Sequence, residues 1–197
     1  MEGLAGSGTY VRGPARYSLP GPFLDLLPAG FPGTWEARSE PGIPAPQNIA
    51  ARLDTNAAAP CVRTDYTLLA TGRVPVLTMT SWEPMALTGV TPVVLPDSGP
   101  LAGRTVTERM AHIGITVERV IKTLTPVVLA PDQAARVSAG SGAPAPLISR
   151  THQTSAGLPA ETADVLVPAV HWNLVYEHRL NTGRGPDASA ATTVSRA

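Results

Sequence analysis

An internal repeat constrains the fold of this chain more than any other feature of its sequence. Each copy consists of a helix that begins at a proline, a strand, a turn with glycine, and a second strand bracketed by two prolines. The brackets are Pro75 and Pro84 in the first copy and Pro159 and Pro168 in the second, an offset of 84 residues for both (159 − 75 and 168 − 84). Two such halves, joined antiparallel, form one sheet with a helix from each half on the same face. We expect a ligand cleft between the halves, where equivalent strands face each other.

Short elements are predicted throughout the chain. Proline and glycine account for 21 and 18 of the 197 residues, which favours many turns over long helices. The apolar pattern predicts helices at 46–53, 105–113 and 131–137, and strands at 35–39, 62–70, 74–83, 115–128, 147–154, 160–167 and 174–180. Thr105 is the predicted N-cap of the second helix. Two hairpins form around Gly72 and Gly157, and the last strand is expected to close the sheet.

The chain divides into three parts. Residues 1–33 are predicted to form a short ribbon around Thr9 to Val11, followed by a linker, because glycine and proline are frequent there. Residues 34–180 contain the ordered body. Residues 181–197 contain few apolar side chains, and we expect them to be disordered.

The overall composition predicts a cytoplasmic protein. Lys plus Arg and Asp plus Glu both total 15, so the net charge is zero and a nucleic-acid-binding surface is not expected within these residues. The apolar runs are too short to cross a bilayer, and residues 1–9 lack the features of a signal peptide, so no membrane partner is expected. Cys61 is the one cysteine, which excludes an internal disulfide and suits a reducing compartment. We expect this thiol to be a small buried apolar group.

No motif predicts a cofactor, a metal site or a catalytic nucleophile. The four histidines lack the spacing of metal ligands, and no Gly-x-Ser-x-Gly elbow occurs. Polar side chains on otherwise apolar strands remain as candidates for ligand binding. They are Asp65, Tyr66, Thr78, Thr80 and Ser81 in the first copy, and Arg150, His152, Glu161 and Asp164 in the second.

Two of these features suggest particular binding chemistry. Arg150 and Glu161 are predicted to be cross-strand neighbours that form an ion pair, which would fix a polar ligand inside a cleft but would contribute little on an exposed face. The alternative is that these polar residues simply face solvent. The helix start at Arg104 and Thr105 is suited to an anion because its N–H groups are unpaired, although a solvated helix end is the simpler interpretation.

Several stretches also resemble a known family in their order and spacing. They are 46–53, 68–82, 106–114, 131–136, 174–177 and above all 157–168. Together they resemble the effector-binding UTRA domain of GntR-type transcriptional regulators, HutC subfamily, over residues 34–178. Gly6 to Arg12 resembles the wing that ends the winged helix-turn-helix of these regulators, and the rest of that DNA-binding domain is missing. This predicts a trimmed chain or a product begun at an internal Met.

The resemblance implies an α+β fold like that of chorismate lyase, with helices packed on an antiparallel sheet of internally duplicated helix–hairpin units. It implies a domain that senses a small molecule and dimerises, in a repressor released from DNA by a metabolite. The partners are then a small-molecule effector, a second copy of the chain and, only through the missing winged helix-turn-helix, operator DNA. No cofactor is implied.

The candidate effector-binding residues combine the resemblance with the polar positions above. They are Tyr66, Met79, Ser81, Arg104, Thr105, Arg150, His152 and Glu161. Tyr66 and Leu68 stand where sugar-phosphate-sensing members have arginines, and Met79 replaces an acidic residue, so a carboxylated or less charged ligand is expected. Glu161 matches the family pattern. Trp172 lies near the cleft or packs in the core.

Two other functions remain open at this point. The same fold serves chorismate lyase, so an enzyme acting on a small carboxylated metabolite is an alternative. A dimerising protein that antagonises a full-length regulator is another, because the DNA-binding head is missing.

Overall fold

The elements of the computed structural model follow the predicted repeat. The structure describes residues 2–3, 9–10, 16–21 and 30–177. In these ranges the elements are β1 (Glu2–Gly3), β2 (Thr9–Tyr10), β3 (Tyr17–Gly21), β4 (Gly33–Pro44), α1 (Gln47–Arg52), β5 (Pro60–Ala70), β6 (Val74–Pro84), α2 (Met85–Thr88), α3 (Val106–His112), β7 (Val117–Val128), α4 (Pro131–Arg136), β8 (Pro144–Thr154), β9 (Pro159–Leu166) and β10 (Trp172–Tyr176). A 3-10 turn at Thr71–Arg73 joins β5 to β6.

The two copies of the repeat form the two halves of one sheet. The antiparallel sheet has six strands in the order β4-β5-β6-β9-β8-β7, so β4, β5 and β6 lie on one side and β7, β8 and β9 on the other. The first residues of β4, α1 and β5 lie 84 positions before those of β7, α4 and β8 (33 to 117, 47 to 131 and 60 to 144). The α+β fold and the duplication are therefore confirmed.

The halves meet at a pseudo-twofold axis, where β6 pairs with β9. Thr80 lies opposite Asp164, and these two residues are also equivalent in the repeat, because their numbers differ by 84. The axis therefore passes between them. The expectation of a cleft between equivalent strands was wrong, because β6 and β9 are hydrogen-bonded neighbours in a continuous sheet.

The helices α1 and α4 cover one side of the sheet, which we name the helix face. Leu53 and Ile49 of the α1 region pack with Cys61 and Trp82, whereas Ala134 of α4 packs in a second cluster with Leu166. The predicted helix from each half on one face is confirmed. Cys61 is fully buried as expected, and burial raises the pKa of its thiol.

The opposite side, which we name the core face, carries the main hydrophobic core beneath a short parallel ribbon. In this ribbon β10 pairs with β3, residue for residue from Trp172 opposite Tyr17. Two predictions about these strands were wrong. The last strand does not close the main sheet, and Tyr17–Gly21 is a strand with Leu19 in the core, not a linker.

Trp172 fixes this ribbon to the sheet. Its indole Nε1 donates a hydrogen bond to the carbonyl oxygen of Val76 at 2.7 Å, and its ring stacks on Phe31 with centroids 5.2 Å apart. The ring centroid of Tyr17 lies 5.3 Å away. Of the two roles considered for Trp172, the structure shows core packing.

The remaining predictions agree with the structure to within a few residues. Thr105 caps α3 as predicted, and Thr9–Tyr10 forms a short antiparallel ribbon with Glu2–Gly3. The first predicted strand is longer than expected, at Gly33–Pro44. The predicted disordered tail, 181–197, lies outside the described residues. None of the helices in the described ranges has the length and apolar character needed to span a bilayer.

Replacing Trp172 tests the importance of the β3–β10 ribbon. The Trp172→Ala variant should lose about 3–5 kcal/mol of unfolding free energy, because a large buried ring leaves a cavity and the Val76 carbonyl loses its donor. Urea denaturation followed by circular dichroism measures this loss. Val90→Ala, at a fully exposed position, should change stability by less than about 0.5 kcal/mol. Equal stabilities for the two variants would contradict the proposed role of the ribbon.

Candidate functional site

A buried group of polar side chains lies on the core face of the sheet. Side chains alternate between the two faces of a strand, so residues two apart on one strand share a face. The group contains one residue from β5, two from β6, one from α3, two from β8 and one from β9. We name these seven residues the polar cluster: Tyr66, Ser81, Glu83, Arg109, Arg150, His152 and Glu161.

Glu161 accepts hydrogen bonds from two neighbours on β8. Arg150 Nη2 lies 3.2 Å from Glu161 Oε1, and His152 Nδ1 lies 2.8 Å from Oε2. The predicted Arg150–Glu161 ion pair is thus confirmed, but the residue directly opposite Glu161 in the register is His152, and Arg150 reaches it diagonally. Burial alone would raise the pKa of Glu161, yet Arg150 and His152 outweigh burial and hold that pKa below its usual range.

A second buried ion pair joins α3 to the sheet. Arg109 Nη1 donates to Glu83 Oε2 at 3.1 Å and to the carbonyl oxygen of Val93 at 3.0 Å, and Arg109 Nη2 also contacts Glu83 Oε1. Both charged side chains are 1% exposed. Burial raises the pKa of the Glu83 carboxyl, and Arg109 counteracts part of that effect.

The ion pair between Arg109 and Glu83 was not predicted from the sequence, although the sequence contains a signal for it. Val106, Arg109, Met110 and Ile113 follow the spacing of one helix face, so Arg109 is a charged residue in an apolar stripe. A buried charge at such a position requires a partner. Glu83 likewise continues the alternation that buries Met79 and Ser81 on β6.

Tyr66 connects the two ion pairs. Its hydroxyl lies within hydrogen-bonding reach of Ser81, and the charges of Glu83, Arg109 and Glu161 all act on it. Burial, and after it the nearby carboxylate of Glu83, raise the pKa of Tyr66. Met79 is buried directly opposite Tyr66. The structure therefore brings six of the eight candidate residues to one face: Tyr66, Met79, Ser81, Arg150, His152 and Glu161.

Arg104 and Thr105 are not part of this cluster. The Thr105 hydroxyl accepts a hydrogen bond from the Glu108 backbone N–H at 3.2 Å, and Glu108 Oε2 accepts one from the Thr105 N–H at 3.0 Å. Arg104 lies 3.3 Å from Glu108 Oε1 on the exposed surface. The hydrogen bonds from Thr105 lower the pKa of Glu108. The carboxylate of Glu108 thus occupies the anion position at the start of α3 that the sequence suggested for a ligand.

The polar cluster retains unused hydrogen-bond donors. The Nε atoms of Arg109 and Arg150 are buried and have no hydrogen-bond partner among the described residues. Lys122, opposite Arg150 on β7, adds positive charge nearby, and burial together with the charge of Arg150 lowers the pKa of Lys122 to about 8. Two guanidinium edges and a lysine favour an anionic or carboxylated ligand over a cation.

The polar cluster is closed in this structure. Its side chains are at least 95% buried, and the segment from Val90 to Arg104 lies against Arg109 through the carbonyl of Val93, which is itself fully buried. Asp97 of the same segment accepts a hydrogen bond from the Ser39 backbone N–H at 2.8 Å. This segment is therefore one part of the chain that covers the Arg109 side of the polar cluster.

An open cavity of about 520 Å³ lies elsewhere, at one end of the sheet. It is lined by Leu53, Asp54, Leu87, Ile115 and Leu158 among others, and contains no residue of the polar cluster. The described residues contain no group of three or more His, Cys, Asp and Glu side chains that could hold a metal ion.

The fold and sequence of this chain are similar to those of known regulators. The UTRA domain family model matches residues 41–171. The crystal structure of a GntR-family transcriptional regulator is 34% identical, with a TM-score of 0.75, and the match covers 91% of this chain and 76% of that one. The ligand-binding domain of a GntR-family regulator from Bordetella bronchiseptica is 26% identical, with a TM-score of 0.60, over 85% of this chain and 100% of that one.

More distant similarity concerns the fold alone. The effector domain of PhnF from Mycobacterium smegmatis is 17% identical, with a TM-score of 0.59, over 75% of this chain and 84% of that one. No curated protein matches this sequence significantly.

Removing the charge of Glu161 tests the electrostatics of the polar cluster. At pH 7 the Glu161→Gln variant should lose about 3–5 kcal/mol of unfolding free energy, because Arg150 becomes a buried charge without its carboxylate. The pKa of Glu161 is lowered in the folded state, so its stabilising contribution exists above the unfolded-state pKa of about 4.3 and is lost as the pH falls through the folded-state value. The stability difference between the wild-type chain and the variant should therefore narrow below about pH 4.

Urea denaturation from pH 3 to pH 8 measures this difference. Glu118→Gln, at an exposed position on β7, is the matched control and should change stability little at any pH. If the difference in unfolding free energy between the wild-type chain and Glu161→Gln stays constant from pH 3 to pH 8, the charge of Glu161 does not stabilise the fold.

Proposed function

We propose, from the premise that this chain belongs to the UTRA domain family of GntR-type transcriptional regulators, that it is the effector-sensing domain of a repressor that a small metabolite releases from DNA. The buried polar cluster is the observation that supports this proposal. Ion pairs in the core of a domain contribute little to its folding stability, because the cost of desolvating the charges cancels most of their attraction. Unpaired guanidinium edges at the same place indicate that a ligand supplies the missing acceptor.

The proposed effector is a small carboxylated metabolite. The Nε atoms of Arg109 and Arg150 are unused donors, and guanidinium groups bind carboxylates with two parallel hydrogen bonds. Tyr66 and Ser81 provide hydroxyl groups beside them. On the first hairpin, Leu68 is fully buried and apolar, so this part of the core face offers no further cation for a phosphate.

Ligand entry changes the conformation of the domain in this proposal. Because the segment from Val90 to Arg104 contacts the buried Arg109 through the Val93 carbonyl, a ligand that binds the Arg109 guanidinium replaces this contact and stabilises a different arrangement of the segment. A ligand that prefers one of two arrangements by about 1–3 kcal/mol shifts their populations enough for regulation. The HutC-type repressor then responds by changing the relative orientation of its DNA-binding heads.

The second proposed partner is another copy of the chain. β7 is an edge strand of the main sheet, and it exposes the apolar side chains of Ile121, Leu124 and Val128. An exposed apolar edge strand is a template for pairing with a second chain. When two β7 strands pair antiparallel about a twofold axis in a homodimer, the unpaired backbone N–H and C=O groups of this edge form hydrogen bonds.

The proposal also assigns the part of the regulator that binds DNA and the compartment in which it works. These 197 residues have a net charge of zero, so operator contact is assigned to the family's winged helix-turn-helix. The regulator works in the cytoplasm, beside its operator. The enzymatic alternative is less favoured, because the carboxylate of Glu161 is already held by Arg150 and His152 in a buried network.

A hydroxyl deletion tests the effector site with little disturbance of the fold. Thermal-shift measurements with a series of small carboxylic acids should find a compound that stabilises the wild-type chain, by about 2.7 kcal/mol at 100 times its Kd. Tyr66→Phe should weaken binding of that compound about five- to tenfold, the effect of one lost hydrogen bond. Tyr176→Phe makes the same chemical change at an exposed site and is the matched control. Equal thermal shifts in both variants would refute the assignment of the effector to the polar cluster.

A charge on the edge strand tests dimerisation. The wild-type chain should elute as a dimer in size-exclusion chromatography with light scattering, and Leu124→Arg should elute as a monomer, because burying an unpaired charge opposes association. Val90→Arg places the same charge on an exposed position away from β7 and should remain dimeric. A monomeric wild-type chain, or a dimeric Leu124→Arg variant, would overturn the proposed interface.

A further inference from the structure

The pseudo-twofold axis relates two arginines on the helix face, one of which forms an ion pair within the described residues while the other does not. Arg52, at the end of α1, makes two hydrogen bonds to the carboxylate of Asp164, at 2.7 and 2.9 Å. The counterpart of Arg52 in the second half is Arg136, at the end of α4 (52 + 84). The counterpart of Asp164 in the first half is Thr80, which has no charge. The repeat therefore places Arg136 opposite a position where the carboxylate is missing.

A cavity lies at that position. It has a volume of about 130 Å³ and is lined by Thr78, Thr80, Gln133, Arg136, Leu147, Asp164 and Leu166. The counterparts of Leu147 and Leu166 in the first half are Arg63 and Trp82, whose guanidinium and ring stack 5.9 Å apart. The first half therefore carries two larger side chains at the positions where the second half has leucines.

Two side chains that line this cavity, Arg136 and Gln133, offer donors to it. Arg136 has no hydrogen bond or ion pair with any residue in the described ranges, and its side chain is exposed. Gln133 uses its Oε1 to accept a hydrogen bond from the Ala130 N–H, so its amide N–H groups remain available. Asp164 does not repel an anion as a free carboxylate would, because Arg52 and the Ser149 hydroxyl already bind it.

We propose that this cavity binds a small monocarboxylate, whose carboxylate pairs with Arg136 as Asp164 pairs with Arg52. The side chains of Leu147 and Leu166 form an apolar wall that suits a short alkyl chain. Water occupies about 30 Å³ per molecule in the liquid, so the cavity holds a ligand of about four or five heavy atoms, the size of acetate or propionate. The site lies on the helix face, across the sheet from the polar cluster, and does not depend on the effector proposed there.

Titration with propionate tests this site directly. Sodium propionate is added to the wild-type chain at constant ionic strength, balanced with sodium chloride, and binding is followed by the chemical shifts of backbone amides. The amides around Gln133 to Arg136 should shift with saturation. Arg136→Met should weaken binding at least about tenfold, because a hydrogen-bonded charge pair is lost. Arg38→Met removes the same charge from an exposed arginine of β4 and should leave binding unchanged.

A double variant tests the role of symmetry. Asp65 and Thr80 are the counterparts of Ser149 and Asp164, so Asp65→Ser combined with Thr80→Asp gives both halves the same pair of side chains. The new aspartate supplies a carboxylate beside Arg136. This variant should still fold, with some loss of thermal stability because Arg63 loses its ion pair with Asp65. It should no longer bind propionate, because its own carboxylate occupies the site. Tyr66→Phe should bind propionate as the wild-type chain does, which separates this site from the polar cluster.

Three results would overturn the proposal. The first is an equal response of the wild-type chain and Arg136→Met to propionate. The second is an equal response of the wild-type chain to propionate and to chloride, which would indicate a general salt effect. The third is unchanged propionate binding in the double variant.

Discussion

The pairing of β6 with β9 is the interaction on which the rest of this structure depends. It joins two repeats, each with one helix, into a sheet of six strands, and it places Thr80 opposite its own counterpart, Asp164. Neither half could bury both of its faces alone, because a three-stranded sheet with one short helix leaves apolar side chains exposed. Once the halves are joined, one face is covered by α1 and α4 and the other by the β3–β10 ribbon and α3.

The two halves have kept the same backbone and have diverged in their side chains. On the core face, the polar residues Arg150, His152 and Glu161 of the second half correspond to Tyr66, Leu68 and Leu77 of the first, by the offset of 84. The second half therefore contributes Arg150, His152 and Glu161, whereas the first half contributes Glu83, the Tyr66 hydroxyl and apolar surface. The polar cluster is thus asymmetric about the axis, although charged side chains lie on both sides of it.

Burial makes the energy of the polar cluster depend strongly on whether each donor and charge in it has a partner. In water, an exposed ion pair is worth less than about 1 kcal/mol, but in the interior an unsatisfied donor or charge costs several times more. In the proposed function, a ligand that satisfies the buried Nε atoms of Arg109 and Arg150 would therefore have a large effect on the conformation around them. The same physical argument explains why Arg109 and Glu83 fix α3 to the sheet while the domain is closed.

The sequence by itself determined the local structure and the repeat. Proline positions, glycine turns and alternating apolar residues predicted both hairpins, the helices α1, α3 and α4, and the Arg150–Glu161 ion pair, because these features involve residues close in sequence or related by the repeat. Only the tertiary structure decided that Tyr17–Gly21 pairs with a strand about 150 residues away, that Arg109 reaches Glu83, and that the expected cleft is closed by direct pairing of β6 and β9. Long-range partners leave no periodic pattern in the chain, since many pairings are compatible with the same alternation and the choice among them depends on how the whole interior packs.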